Sequence, residues 1–275
     1  SETVYYFTVA AWIWPREVYT NLRRAQFIVD ALEQEWNLVA PDWAGFGLSE
    51  ARPEGYFVTD YIADLDALAE HFSPDAPVSI VAHSMGGNMA TMYAGVRPER
   101  VKQLVNLEGF GPVFDNAKAA PEMLDTWLKN LREPKTTEAP TYSSVAQFAE
   151  RLIKSNPLLP KDRAAFLAEH FIRQREDGRY ELLAHPVARA PLPIYPHSQQ
   201  VIDIWQQVTA KVLFMRGLAS FVNRFFEDHP EEMQARLDAI PHRQERDFEG
   251  ASHNMQHEVP ELIAAEIEKF LTADT

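Results

Sequence analysis

The chain has 275 residues, 46% of them apolar and 24% charged, with a formal net charge of −14 and no cysteine. That length and composition fit one large globular domain with an accessory segment, not two catalytic domains. The acidic balance argues against a nucleic-acid partner, which needs clustered lysine and arginine, and the missing cysteines exclude disulfides, thiolate catalysis and cysteine-ligated metals, as suits a cytoplasmic protein.

Residues Glu2 to Trp14 are rich in Val, Tyr, Phe, Thr and Ile and predict a strand that Pro15 stops. They lack the basic leader and small-residue cleavage site of a signal peptide, and no apolar run reaches the roughly 18 residues of a membrane span. Leu22, Phe27, Ile28, Ala31 and Leu32 share one helical face. A strand at Asn37 to Ala40 leads into Asp42-Trp43-Ala44-Gly45-Phe46-Gly47-Leu48-Ser49. Thr59 to Phe72 predicts an amphipathic helix capped by Thr59 or Asp60. The strand from Val78 then runs into Ala82-His83-Ser84-Met85-Gly86, and a further strand at Gln103 to Leu107 ends in Glu108-Gly109. From Phe114 to Trp205 prolines punctuate short helices, expected at Met123 to Leu131, Val145 to Lys154 and Lys161 to Arg175. Last come a strand at Lys211 to Met215, the segment Arg246-Asp247-Phe248-Glu249-Gly250-Ala251-Ser252-His253, and a closing helix from Pro260. Strands alternating with helices at this interval imply a mainly parallel sheet covered on both faces.

The segment Ala82 to Gly86 carries the chemistry. A serine at a strand-to-helix turn must hold a strained backbone angle, and only small residues two positions either side avoid a clash. Such an elbow lifts the hydroxyl clear of the sheet and aims the Met85 N–H at the point where an oxyanion would develop.

In order and spacing, four segments together resemble the α/β-hydrolase family. Asp42 to Ser49 is similar to its Asp-x-Arg-Gly-x-Gly-x-Ser stretch, with Ala44 in place of arginine; Ala82 to Gly86 resembles its nucleophile elbow; Gly250 to His253 resembles its Gly-x-x-His; and Ser, acid and His follow in the family's order. The resemblance implies an α/β-hydrolase core at residues 1–113 and 206–275 and a helical cap inserted at 114–205. It implies Ser84 as nucleophile and His253 as base. The usual acid position, in the turn Gly217-Leu218-Ala219-Ser220, holds alanine. Some haloalkane dehalogenases and the cofactor-free ring-cleaving dioxygenases of this fold carry the acid after the sixth strand, where this chain has Glu108; Asp247 and Glu249 are the other candidates.

Relatives carry His-Gly at the end of the third strand, and this chain has none before the elbow. Either Ala10-Ala11-Trp12 stands in its place and Trp12 donates its N–H, or the loop is shortened away and leaves Val18 to Asn21. His83 points away from the serine, and His253 and His257 share i, i+4 spacing without a third ligand, so no metal and no cofactor are expected. The expected activity is hydrolysis of a small or medium ester, thioester or related acyl substrate by a Ser84–His253–Glu108 triad with Met85 and Trp12 at the oxyanion. The expected partner is a small-molecule substrate, with neither nucleic acid nor membrane. The rivals are a cofactor-free dioxygenase of the same fold and a catalytically impaired or engineered binding protein.

Overall fold

A strand buried on both faces of a parallel sheet reads as an unbroken apolar run, and Val78-Ser79-Ile80-Val81-Ala82-His83 forms such a strand with every residue buried. The computed structural model describes residues 3–7, 22–52, 55–111, 120–132, 140–185, 188, 196–227 and 230–273. Its strands are β1 (Thr3–Phe7), β2 (Asn37–Val39), β3 (Val78–His83), β4 (Val101–Leu107), β5 (Ile172–Gln174), β6 (Tyr180–Leu182), β7 (Lys211–Gly217) and β8 (Arg243–Phe248). The helices are α1 (Gln26–Ala31), α2 (Val58–Phe72), α3 (Met85–Val96), α4 (Ala120–Arg132), α5 (Val145–Ser155), α6 (Lys161–Phe171), α7 (Ser198–Trp205), α8 (Pro230–Asp238), α9 (Met255–Glu258) and α10 (Pro260–Thr272). Among the described residues no helix is long and apolar enough to cross a membrane.

Six strands make one sheet in the order β2-β1-β3-β4-β7-β8, with every neighbouring pair parallel. Side chains alternate between its faces, as the two-residue period of a strand requires. Ile80, Ala82, Leu104, Val212 and Phe214 join the core under α2, α3 and α7. Val81, Val105, Leu107, Leu213 and Met215 join the opposite core, with Ile28 of α1 and Ile263 and Ile267 of α10. The edge strand β8 reads Arg-Gln-Glu-Arg-Asp-Phe and is largely exposed. Charge on that edge discourages another chain from pairing with it.

The chain moves from β1 outward to β2, then crosses back to β3 on the other side of β1. Such a reversal opens a crevice at the carboxyl ends of the strands. Beside it, the turn after β2 is built on Asp42, whose Oδ2 accepts the Leu48 N–H at 2.9 Å while its carbonyl accepts the Ser49 hydroxyl at 2.7 Å. Gly47 has φ +55°, and a Cβ there would lie 2.1 Å from Asp42 Oδ2. The Asp-x-x-Gly-x-Gly-x-Ser pattern therefore closes a turn in this chain.

No strand of the main sheet lies in the described part of 114–205. The helix expected over Lys161 to Arg175 ends at Phe171, and Ile172–Gln174 pairs antiparallel with Tyr180–Leu182. The cause is the turn between them: Gly178 takes φ +79° and donates to the Arg175 carbonyl at 3.0 Å, while the Arg175 N–H bonds to the Arg179 carbonyl at 2.7 Å. The hairpin then packs Ile172, Tyr180 and Leu182 on Phe148 and Ala168. In α7, Val201 and Trp205 belong to the main core. The expected cap of α2 also shifts: Phe57 is the N-cap residue, and Asp60, at the third helical position, accepts the Phe57 N–H at 2.9 Å.

Candidate active site

Ser84 leaves β3 at φ +54° and ψ −120°, a conformation that costs a non-glycine residue about 1–3 kcal/mol. The surroundings hold it there. The Ser84 N–H donates to the Leu107 carbonyl at 2.8 Å, which ties the elbow to the end of β4. One residue on, Glu108 also has a positive φ, +60°, and its N–H donates to the Met215 carbonyl at 3.0 Å. The buried Asn106 side chain spans both turns. Its amide donates to Thr91 Oγ1 and to the Gly109 carbonyl, both at 2.8 Å, and its Oδ1 accepts the Gly109 N–H at 2.8 Å. A Cβ on Gly87 would come within 2.4 Å of that Oδ1, so the start of α3 can approach β4 only as glycine. Met85 is the first residue of α3, where backbone N–H groups have no partner within the helix.

These turns bring three distant side chains into line. His253 Nε2 lies 2.8 Å from Ser84 Oγ, and His253 Nδ1 lies 3.2 Å from Glu108 Oε2. A carboxylate only accepts, so Nδ1 carries the proton and Nε2 is left to accept from the serine hydroxyl. Glu108 is 3% exposed. Its Oε1 accepts the Gly217 N–H at 2.6 Å, and its Oε2 accepts the Ser220 hydroxyl at 2.5 Å. The Ser220 oxygen in turn accepts the Val222 N–H at 3.2 Å.

The other acidic candidates point elsewhere. Asp247 forms a two-pronged pair with Arg216 at 2.9 and 2.7 Å, and Glu249 is exposed. Ala219, in the turn after β7, has no carboxylate to offer and sends its N–H to the Ala251 carbonyl. Trp12 and the stretch Val18 to Asn21, the alternative completions of the oxyanion site, lie outside the described residues.

Two partners of the imidazole and the acid escaped the sequence reading. Ser220 is one; a serine directly before a short helical run at Phe221–Phe226 is the cap signal that marks it. His83 is the other. Its Nε2–H donates to the His253 carbonyl at 2.6 Å, and Gln256 Nε2 lies 3.4 Å from its Nδ1. Burial, and then the neighbouring His253, hold the His83 pKa well below the usual imidazole value. His83 is thus neutral, with its proton on Nε2.

His257 does not share a site with His253: its Nε2–H donates to the Arg24 carbonyl at 3.0 Å. Burial, followed by the Arg24 charge, lowers its pKa to about 3. Helices α5 and α6 fasten to the same region. Asn156, after α5, donates to Glu258 at 2.7 Å, and Arg163 of α6 donates to the carbonyls of His257 and Glu258 at 3.2 and 3.0 Å. Glu258 also accepts the Ser252 N–H at 2.6 Å and the Ser252 hydroxyl. On the remaining side of the imidazole lies Phe221, ring centroids 4.7 Å apart.

A family model described as the alpha/beta hydrolase fold matches residues 18–177. A "Serine hydrolase-like protein" of Danio rerio is 30% identical over 198 residues, 68% of this chain and 59% of that protein's length. A "Cis-3-alkyl-4-alkyloxetan-2-one decarboxylase" of Shewanella oneidensis is 26% identical over 89% of this chain and 76% of its own. Among solved structures, a "Thioesterase Domain From Curacin Biosynthetic Pathway" superposes with a TM-score of 0.81 at 23% identity, covering 98% of this chain and 91% of that one. At that identity the likeness is one of fold.

Proposed function

The chain belongs to the α/β-hydrolase family, and on that premise we propose that it is a serine hydrolase cleaving a small or medium ester, thioester or related acyl substrate. The observation that carries the reading is the unbroken hydrogen-bonded line from Glu108 through His253 to Ser84 at the carboxyl ends of β4 and β3. Ser84 Oγ attacks the carbonyl carbon as its proton passes to His253 Nε2. The Met85 N–H, at the head of α3, stabilises the oxyanion of the tetrahedral adduct. Collapse breaks the bond to the leaving oxygen or sulfur, which takes the proton from Nε2, and water repeats the sequence on the acyl-enzyme. Glu108 keeps the Nδ1–H tautomer and balances the imidazolium charge.

In this reading Trp12 supplies the second oxyanion donor, the segment 114–205 caps the site, and the protein works in the cytoplasm on a small molecule without a cofactor. The serine hydrolase-like description of the zebrafish protein supports the acyl-transfer assignment.

A fluorophosphonate tests it. Intact-mass analysis is expected to find one label per wild-type chain and none on Ser84→Ala. Equal labelling of both removes Ser84 as nucleophile. No labelling of either, with the fold intact by circular dichroism, turns the assignment to the dioxygenase or binding reading.

A further inference from the structure

Three exposed large apolar side chains belong to one turn after β7: Leu218, Phe221 and Phe225 are 47%, 48% and 43% exposed. Scattered surface apolar residues need no account, but a cluster at the rim of a reactive site marks a place where something apolar binds. Phe221 and Phe225 meet edge to face with centroids 5.8 Å apart, and Phe221 lies against the His253 ring. From Phe225 through Phe221 the apolar surface therefore runs onto the imidazole. The turn that presents it is held in place. Asn223 Nδ2 donates to the Gly217 and Leu218 carbonyls at 3.0 and 3.2 Å, and Ser220 bonds to Glu108, while Val222 and Phe226 are buried as anchors beneath it.

Acyl-transfer chemistry decides which part of a substrate this surface meets. The oxyanion lies at the Met85 N–H. The leaving atom has to come within hydrogen-bond reach of His253 Nε2, because that nitrogen gives it its proton. A group carried on the leaving atom consequently passes the imidazole and meets Phe221, whereas the acyl chain, bonded on the other side of the carbonyl carbon, extends away from it. Resting on the serine-hydrolase reading above, we propose that Phe221 and Phe225 form a subsite for the apolar alcohol or thiol portion of the substrate, so that this chain selects esters of hydrophobic alcohols.

The test is a series of acetates from methyl to hexyl, run beside methyl esters of matching acyl length. All the acetates give one acetyl-enzyme, so their kcat/KM values report the alcohol alone. In wild type, kcat/KM is expected to rise about twofold per methylene, below the roughly fourfold of complete burial. Phe225→Ala leaves Phe221 on the imidazole and is expected to cut the hexyl-to-methyl ratio at least about fivefold. Phe221→Ala does the same, whatever it does to absolute rates, while the acyl series keeps its slope in both variants. In parallel, 1-hexanol is expected to slow fluorophosphonate labelling of Ser84 in wild type and not in the variants. A flat acetate series, an unchanged ratio in both variants, or a loss of slope in the acyl series instead overturns the subsite. Labelled Ser84 with a flat acetate series overturns the subsite alone; an unlabelled Ser84 with no ester cleaved overturns the parent reading and this one together.

Discussion

Replacing Glu108 by glutamine probes the site most sharply, because the surroundings dictate which way the new amide faces. The Gly217 N–H, 2.6 Å from Oε1, accepts nothing and so fixes the amide oxygen on its side. The amide nitrogen then occupies the place of Oε2, facing Ser220 and His253 Nδ1. Two N–H groups cannot share that 3.2 Å gap, so His253 moves its proton to Nε2 and presents a bare Nδ1. In that tautomer Nε2 donates to Ser84 Oγ and can no longer take its proton. The equivalent aspartate-to-asparagine change in a serine protease triad lowers kcat by about 10⁴-fold through the same tautomer, which sets the scale expected here. The assay is kcat/KM on one activated ester, with thermal unfolding as the check on folding. Adding Ala219→Asp to the Glu108→Gln chain returns a carboxylate to the turn after β7 and is expected to recover part of the loss. A loss below about threefold for Glu108→Gln, well under 1 kcal/mol of transition-state stabilisation, refutes the reasoning and leaves Glu108 a structural residue.

Three other perturbations separate the contributions of neighbours. Ser84→Gly and Ser84→Ala both delete the hydroxyl, but only glycine relieves the backbone at φ +54°; urea titration is expected to place the glycine variant about 1 kcal/mol above the alanine variant, and the reverse order denies the strain. His83→Gln keeps an N–H where Nε2 stood, whereas His83→Leu leaves the His253 carbonyl unpaired; kcat/KM is expected to fall about tenfold for leucine and clearly less for glutamine, and equal losses dismiss a positioning role. His257 has a folded-state pKa near 3 against about 6.5 unfolded, so the unfolded chain binds the extra proton between those values. Its stabilisation is complete above pH 6.5 and shrinks by about 1.4 kcal/mol for each unit of acidification down to pH 3; His257→Gln is expected to flatten the stability profile from pH 7 to 4.5, and an unchanged slope counts against the burial of a neutral ring.

What was legible in the sequence followed from backbone constraint. The elbow shows because a serine at positive φ admits only small neighbours, and the parallel strands show because burial on both faces leaves runs such as Val78 to Ala82. Glu108 came to notice through the resemblance, as the glutamate at the strand end where some members of the fold carry their acid, once the usual turn read Ala219. The hairpin at Ile172 to Leu182 was hidden because Phe166, Leu167 and Phe171 continue a helical rhythm up to it, and the single glycine at 178 gave the one hint of a turn. Ser220 and His83 stayed out of view for a different reason. Ser220 shows locally only as a helix cap; its bond to Glu108, like the bond from His83 to the His253 carbonyl, joins residues more than a hundred positions apart, and no local pattern records it.

The position of the acid in the proposed triad has a practical corollary for redesign. Where a triad takes its carboxylate from the turn after β7, any library built in that turn risks the catalyst itself. Here that turn gives the Glu108 carboxylate two fixed points. One is Gly217, whose N–H holds Glu108 and where a Cβ would lie 2.5 Å from the Ala251 carbonyl oxygen; the other is the Ser220 hydroxyl. On the proposed triad, Leu218, Ala219 and Phe225 can therefore be randomised together with the carboxylate untouched, so substrate scope can drift, in the laboratory or over generations, while the acid stays in place.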